Sequence, residues 1–254
     1  MSKLILSRRR LIQASVVGAG GLLLSGCDRL TRDPKVLDFL GKAEDLHRVT
    51  QRGLAGDALA REFAESQMSP TFRANGSMAV ADPVYRAHFA QGFSQWALRL
   101  DGMVERPLTL PLTALKQFPQ RTQITRHDCV EGWSAIGKWT GPRLATLLDL
   151  ARLRPEARYL VFHCADLYGG RPYYESIDLV DAFHPQTILA WAMNGRPLEE
   201  QHGAPLRLRV ERQLGYKHAK FVTRIEAVAA LDGIYGGKGG YWEDNGRYAW
   251  YAGI

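Results

Sequence analysis

From Val36 onward the apolar residues Val36, Phe39, Leu40, Ala43, Leu46 and Val49 recur near the 3.6-residue period of an α-helix. Asp33 is a suitable N-cap, and Pro34 fits the first helical position, where its missing N–H costs nothing. Gly53 and Gly56 interrupt the pattern, and residues 57–67, opened by Asp57, read as a second helical piece. Residues 69–76 break helix and read as a loop. From Trp96 the period changes to two, with Trp96, Leu98 and Leu100 alternating against Ala97, Arg99 and Asp101. Asp101-Gly102 is a hairpin-turn signal. Short helices are expected at 112–118, 143–153 and 179–183. Strands are expected at 122–125, 159–164, 173–177, 189–193, 206–210 and 220–227, and the tail is rich in Gly, Tyr and Trp. Strands outnumber helices, and neither a repeat nor a Pro/Gly linker divides 96–254. The pattern predicts one α+β domain of mixed sheets with flanking helices, preceded by an N-terminal helical segment.

Charge changes the picture mainly at the N-terminus. The 254 residues carry a net charge of +7, but residues 1–26 hold Lys3, Arg8, Arg9 and Arg10 and no acid. The remainder has 29 bases against 26 acids, a net charge of +3, too mild to imply a nucleic-acid partner. Ser7-Arg8-Arg9-Arg10-Leu11-Ile12-Gln13 resembles a twin-arginine export signal. The apolar stretch behind it is shorter than the roughly 20 residues of a spanning helix and is diluted by Gly18, Gly20 and Gly21. It ends in Leu24-Ser25-Gly26-Cys27, which resembles a lipobox, so cleavage would leave Cys27 lipidated. An uncleaved anchor is the alternative. The expected organisation is a signal peptide over 1–26, a linker and helical segment over 27–70, and one domain over 71–254. The mature chain is expected to face the periplasm on a membrane lipid anchor, and twin-arginine export suits a protein folded around a cofactor.

Two thiols then remain, Cys129 and Cys164. An oxidising compartment would pair them if they were structural. Cys129 follows the strand-like run 122–125, where a rigid backbone can aim a side chain at a ligand. A lone thiolate there is a nucleophile, a metal ligand or an inert thiol.

Five ordered segments carry a resemblance: 96–104, 122–139 around Cys129, Met193-Asn194-Gly195-Arg196-Pro197-Leu198, His202-Gly203-Ala204-Pro205-Leu206-Arg207, and Gly215-Tyr216-Lys217-His218-Ala219-Lys220-Phe221. The set resembles the molybdopterin-binding domain of sulfite oxidases and, more closely, of their bacterial periplasmic relatives of the methionine-sulfoxide-reductase type. The resemblance covers 72–254. It implies a molybdenum–molybdopterin cofactor with Cys129 as the one protein metal ligand, a soft thiolate for a soft-ligated redox metal. It also implies cofactor contacts from Asn75, Cys164, His202, Arg207, His218, the backbone of Ala219, and Lys220. Cys164 falls where the family has Thr or Ser. Alone, Asn75-Gly76 is an ordinary turn, His218 a strand-end histidine and Arg207 a solvent-facing charge.

The chain also departs from the sulfite-oxidising pattern. Cys129 is followed by Val130-Glu131-Gly132-Trp133, Ala74 precedes Asn75, and Arg73 is one place off the family's arginine. Glu131 near a metal would repel an anion by roughly 1–4 kcal/mol at about 4 Å. Glu131 is therefore a catalytic candidate favouring neutral S- or N-oxides, although it is also placed to pair with Lys138 or Arg126. The expected activity is oxygen-atom and two-electron transfer on a small molecule. Electrons would be exchanged with a membrane cytochrome b or soluble cytochrome c, since no Cys-x-x-Cys-His haem motif is present. Sulfite dehydrogenation and a molybdenum-free lipoprotein scaffold are the alternatives, and a monomer is expected.

Overall fold

The computed structural model describes residues 33–55 and 58–254; the export and lipidation motifs lie outside the described residues. The chain divides into two units, 1–56 and 57–254. In the first, helix α1 (Pro34–Ala55) forms as the periodicity predicts, and Asp33 Oδ1 accepts the Lys35 N–H at 2.8 Å. No helix among the described residues is long and apolar enough to cross a membrane.

The second unit holds helix α2 (Pro83–Ala90), strands β1 (Ala97–Gly102) and β2 (Leu108–Pro111), and the helical turn α3 (Leu112–Leu115). Strands β3 (Gln120–Asp128) and β4 (Ser134–Pro142) follow, then helix α4 (Leu144–Ala151) and strands β5 (Tyr159–Tyr168) and β6 (Arg171–Asp178). After the turn α5 (Leu179–Ala182) come β7 (Ile188–Ala190), β8 (Ala192–Met193), β9 (Arg196–Pro197), β10 (Arg207–Arg209), β11 (Val222–Val228) and helix α6 (Tyr241–Gly246). They build sheets of order β2-β1-β11-β5-β6, β3-β4-β8-β9 and β10-β7. Only the β1–β11 pair is parallel, so the largest sheet is mixed. The α+β class expected from the sequence is the observed one.

Alternation along β5 explains how this sheet serves two layers. Leu160 and Phe162 point into the main core with Leu98, Leu100, Leu144, Leu148 and Trp139. Val161 points to the other face, where Tyr174 and Tyr241 cover it.

Several local expectations fail for tertiary reasons. Residues 58–64 are extended rather than helical: Phe63 N–H donates to the Ile124 carbonyl at 2.9 Å, and Ala60 exchanges two hydrogen bonds with the buried Gln186 side chain. Only Glu65–Gln67 turns, as a short 3-10 segment. Asp101-Gly102 does not turn. It extends β1, paired with Glu226 and Ala227 of β11, and a Cβ on Gly102 would sit 2.3 Å from the Ala227 carbonyl oxygen. The expected strand 189–193 is two strands in different sheets. Helix α2, capped where Asp82 Oδ1 accepts the Tyr85 N–H at 2.8 Å, and strand β4 were not expected.

Candidate functional site

All three sheets contribute to one cavity in the second unit. Asn75, Gly76 and Ser77 bring the loop before α2 to its wall. Cys129, Val130 and Glu131 bring the β3–β4 turn, and Asp166, Tyr168 and Tyr173 bring β5 and β6. Arg207 comes from β10, Gly215, Tyr216, His218 and Lys220 from the β10–β11 connection, and Trp242 and Tyr248 from the tail.

Cys129 is in the turn of a hairpin, not in an open loop. Its N–H donates to the Trp133 carbonyl at 2.9 Å, and Gly132 N–H donates to the Cys129 carbonyl at 3.0 Å. The side chain is 7% exposed, and Asn75 Nδ2 donates to Sγ at 3.5 Å. Burial pushes the thiol above its ordinary value, outweighing hydrogen bonds from the Glu131 and Val130 backbone and from Asn75. A metal ion would reverse this by taking the thiolate outright. Cys129 and Cys164 are free thiols, so the structural disulfide is not formed. Glu131 accepts the Trp133 indole N–H at 3.0 Å. It forms neither expected ion pair, because Lys138 pairs with Glu65 and Arg126 with Asp128.

Lys220 acts as a clasp. Its three ammonium protons match three carbonyl acceptors, Asn75 at 2.7 Å, Ser77 at 2.5 Å and Gln201 at 2.9 Å. Burial, helped by Arg207, brings its pKa down to about 7. Arg207 is buried rather than solvent-facing. It donates to the His202 carbonyl at 3.1 Å and the His218 carbonyl at 3.4 Å, and burial lowers its pKa to about 9. Its neighbour Arg209 forms a bidentate pair with Glu211 at 2.9 and 2.6 Å. Arg209 also donates to His127 Nδ1 at 2.9 Å, and both guanidinium groups lie over the Trp139 ring.

These contacts fix the histidine tautomers. Arg209 can only donate, so His127 is protonated on Nε2. The Gln213 carbonyl, 3.0 Å from His218 Nε2, can only accept, so His218 Nδ1 is a bare acceptor. Burial, with the charges of Arg209 and Arg207, holds both rings well below the ordinary histidine range. Both are neutral near pH 7. Gly215 has to be glycine here, because a Cβ would lie 2.4 Å from His127 Nε2.

Six of the nine expected site residues therefore meet on the cavity wall: Asn75, Cys129, Glu131, Arg207, His218 and Lys220. The other three do not line it. Cys164 Sγ turns back to the Phe162 carbonyl at 3.7 Å. The His202 ring packs edge-on against Phe72 at 5.9 Å and lines a separate cleft with Met193 and Arg196, so only its carbonyl serves the site. Ala219 is fully buried and gives its carbonyl to the Leu208 N–H at 2.9 Å. Sequence reading missed Asp166, His127, Arg209 and the aromatic residues. The available signals were two-residue spacings from Cys164 and Cys129 and the aromatic tail, whose 240–243 and 250–253 segments resemble the same family.

The wall fits a large polar cofactor. Arg207 Nε is a buried donor without a partner, and His218 Nδ1 and Asp166 Oδ1 are buried acceptors without one. Two cations, two vacant acceptors and one thiol suit a ligand that carries anionic oxygens, ring N–H donors and a soft metal together.

The comparisons agree. The profile of the oxidoreductase molybdopterin-binding domain matches residues 86–232. A putative protein-methionine-sulfoxide reductase subunit YedZ1 from Azospira oryzae is 36% identical over 97% of this chain and 88% of its own length. The protein-methionine-sulfoxide reductase catalytic subunit MsrP of Campylobacter jejuni is 34% identical over 54% of this chain, which spans about half of that protein (51%). The sulfane dehydrogenase SoxCD of Paracoccus pantotrophus is a solved structure with a TM-score of 0.49 and 24% identity, covering 54% of this chain and 39% of its own. On the profile match and the full-length relative, the chain belongs to the sulfite-oxidase-like molybdopterin-binding oxidoreductases and takes the molybdenum cofactor.

Proposed function

We propose that this protein reduces a neutral organic sulfoxide of the methionine-sulfoxide type, with Cys129 as the protein ligand of molybdenum. Bound molybdopterin supplies a two-electron oxygen-atom-transfer centre. Cys129 provides its single thiolate, steadied by the Asn75 side-chain amide, while Lys220 holds the Asn75 loop by its carbonyls. Arg207, His218 and Asp166 offer the unfilled donor and acceptors for the pterin and its phosphate. Overall, a sulfoxide takes up two electrons and two protons and leaves as a thioether and water. The electrons come from a separate cytochrome, and the chain faces the periplasm on a lipid anchor at Cys27; the export-like and lipobox-like motifs support the location, and the word subunit in both relatives' names supports a separate partner.

The observation that carries the substrate reading is Glu131. Its carboxylate shares the cavity wall with Cys129 and is held by the Trp133 indole, while Arg73 is exposed and off that wall. A carboxylate beside the metal position disfavours sulfite and leaves neutral oxides acceptable.

The test starts with molybdenum and released pterin measured on the same purified sample. It then compares dye-driven reduction of methionine sulfoxide with sulfite-dependent reduction of cytochrome c. Stoichiometric molybdenum with sulfoxide turnover is expected. Sulfite turnover without sulfoxide turnover overturns the substrate reading. Cys129→Ser should fold and lose turnover; full turnover in that variant removes the ligand assignment.

A further inference from the structure

Aromatic side chains form a continuous wall on one side of the cavity. Tyr216 meets Tyr248 edge-on at 5.0 Å, Tyr248 stacks on Trp242 at 5.4 Å and 19°, and Trp242 contacts Tyr168 at 5.2 Å. All four line the cavity that Cys129 and Glu131 also line. Trp242 and Tyr248 belong to α6 and the residues after it, beyond the 86–232 segment that matches the family profile. They are half-buried, so part of each ring stays open to a ligand.

The wall is firmly mounted. Glu243, next to Trp242, receives the Lys217 ammonium at 2.5 Å, and Lys217 sits beside Tyr216. The Tyr216 hydroxyl donates to the Ala249 carbonyl at 2.7 Å, which ties the chain next to Tyr248. A wall held this way can discriminate between ligands without having to be ordered first.

Resting on the reading above, we infer that Trp242 and Tyr248 determine specificity by holding the methyl and methylene groups flanking the sulfur of methionine sulfoxide. The methyl and methylene groups beside a sulfoxide are polarised positive and pack favourably on the negative faces of aromatic rings. The negative ring faces offer nothing to an oxyanion. A small N-oxide lacks the methylene chain and peptide flanks of a methionine sulfoxide residue, so it draws less from the two rings.

The experiment uses the molybdenum-loaded full chain and a reduced viologen dye. It compares kcat/KM for a peptide containing methionine sulfoxide with kcat/KM for trimethylamine N-oxide. Trp242→Ala should lower the peptide-to-N-oxide ratio about tenfold, mainly through the KM for the peptide, and Trp242→Phe should restore most of it. Melting temperature and molybdenum content confirm that the variants are folded and loaded. If Trp242→Ala does not fold, Tyr248→Leu provides the same comparison. A ratio equal to wild type in the folded Ala and Leu variants overturns the inference while leaving the sulfoxide-reductase reading intact. Wild-type enzyme that reduces the N-oxide but no methionine sulfoxide overturns both.

Discussion

His127 and Gly215 show what single residues contribute beyond the motif that contains them. His127 is 1% exposed, accepts a hydrogen bond from Arg209 at one nitrogen, and directs its other nitrogen at the Gly215 backbone. Gly215→Ala would force a Cβ to within 2.4 Å of that nitrogen, so the buried ring or the backbone would have to shift. The expected cost is about 1–3 kcal/mol of stability, with lowered molybdenum content because the adjoining Tyr216 and His218 shift; thermal melts and metal analysis check it. Cys129 was legible in the sequence because a lone thiol in an ordered motif set has few roles. His127 was not, because its alternating strand gives a histidine no mark of burial. The same limit explains Cys164 and His202. Their positions match a motif, but which way a side chain turns is settled by tertiary neighbours such as the Phe162 carbonyl and the Phe72 ring.

Three elements behind the cavity, β6, the 215–217 turn and α6, are joined by one buried cluster. Lys217 Nζ lies 2.8 Å from Glu175 Oε2 and 2.5 Å from Glu243 Oε1, and all three side chains are essentially inaccessible. Burial would push the Lys217 ammonium down, but the two carboxylates outweigh it and raise it above its ordinary value. One ammonium cannot neutralise two carboxylates. Burial holds the Glu175 carboxyl well above the usual range, against the pull of Lys217 and with the push of Glu243. The folded chain therefore keeps a proton that the unfolded chain releases above about pH 4.3. This contribution is complete below that pH and is lost as pH rises towards the folded value, at up to about 1.4 kcal/mol per pH unit. Glu175→Gln should flatten the fall in melting temperature between pH 5 and pH 8. Lys217→Met, which leaves the buried Glu243 carboxylate without its ammonium partner, should cost about 3–5 kcal/mol. At the other end of the unit, Asp82→Ala removes the α2 cap and should cost about 1 kcal/mol in a denaturant titration. Elements whose partners are near in sequence were the readable ones, as the Pro34–Ala55 helix shows. The 58–64 segment was misread because its hydrogen bonds go to Ile124 and Gln186, far along the chain. The Asp101-Gly102 turn was misread because β11 takes up that backbone.

For the whole molecule, the decisive question is where the folded domain begins. The sequence reading starts it at residue 71, one residue before the resemblance to the family begins, yet residues 58–70 are stitched into the body of the second unit. Phe63 pairs with Ile124, Ala60 with Gln186, and Ser69 with Ile136 through both its backbone N–H at 3.0 Å and its side-chain oxygen at 2.9 Å. Salt bridges from Arg121 to Glu62 and from Lys138 to Glu65 add to these, on strands that run directly into the Cys129 turn. Removing the segment would expose the edge of β3 and leave the buried Gln186 amide without its Ala60 partners. At about 1 kcal/mol for each hydrogen bond lost, a chain starting at residue 71 should be roughly 3–6 kcal/mol less stable than one starting at residue 57. Because β3 and β4 carry Cys129 between them, the loss should reach the site as well. The chain starting at 57 should unfold in one cooperative step and retain molybdenum. The chain starting at 71 should melt lower and retain less. Equal melting temperatures and equal metal content would place the boundary at 71 and make residues 58–70 a dispensable strap.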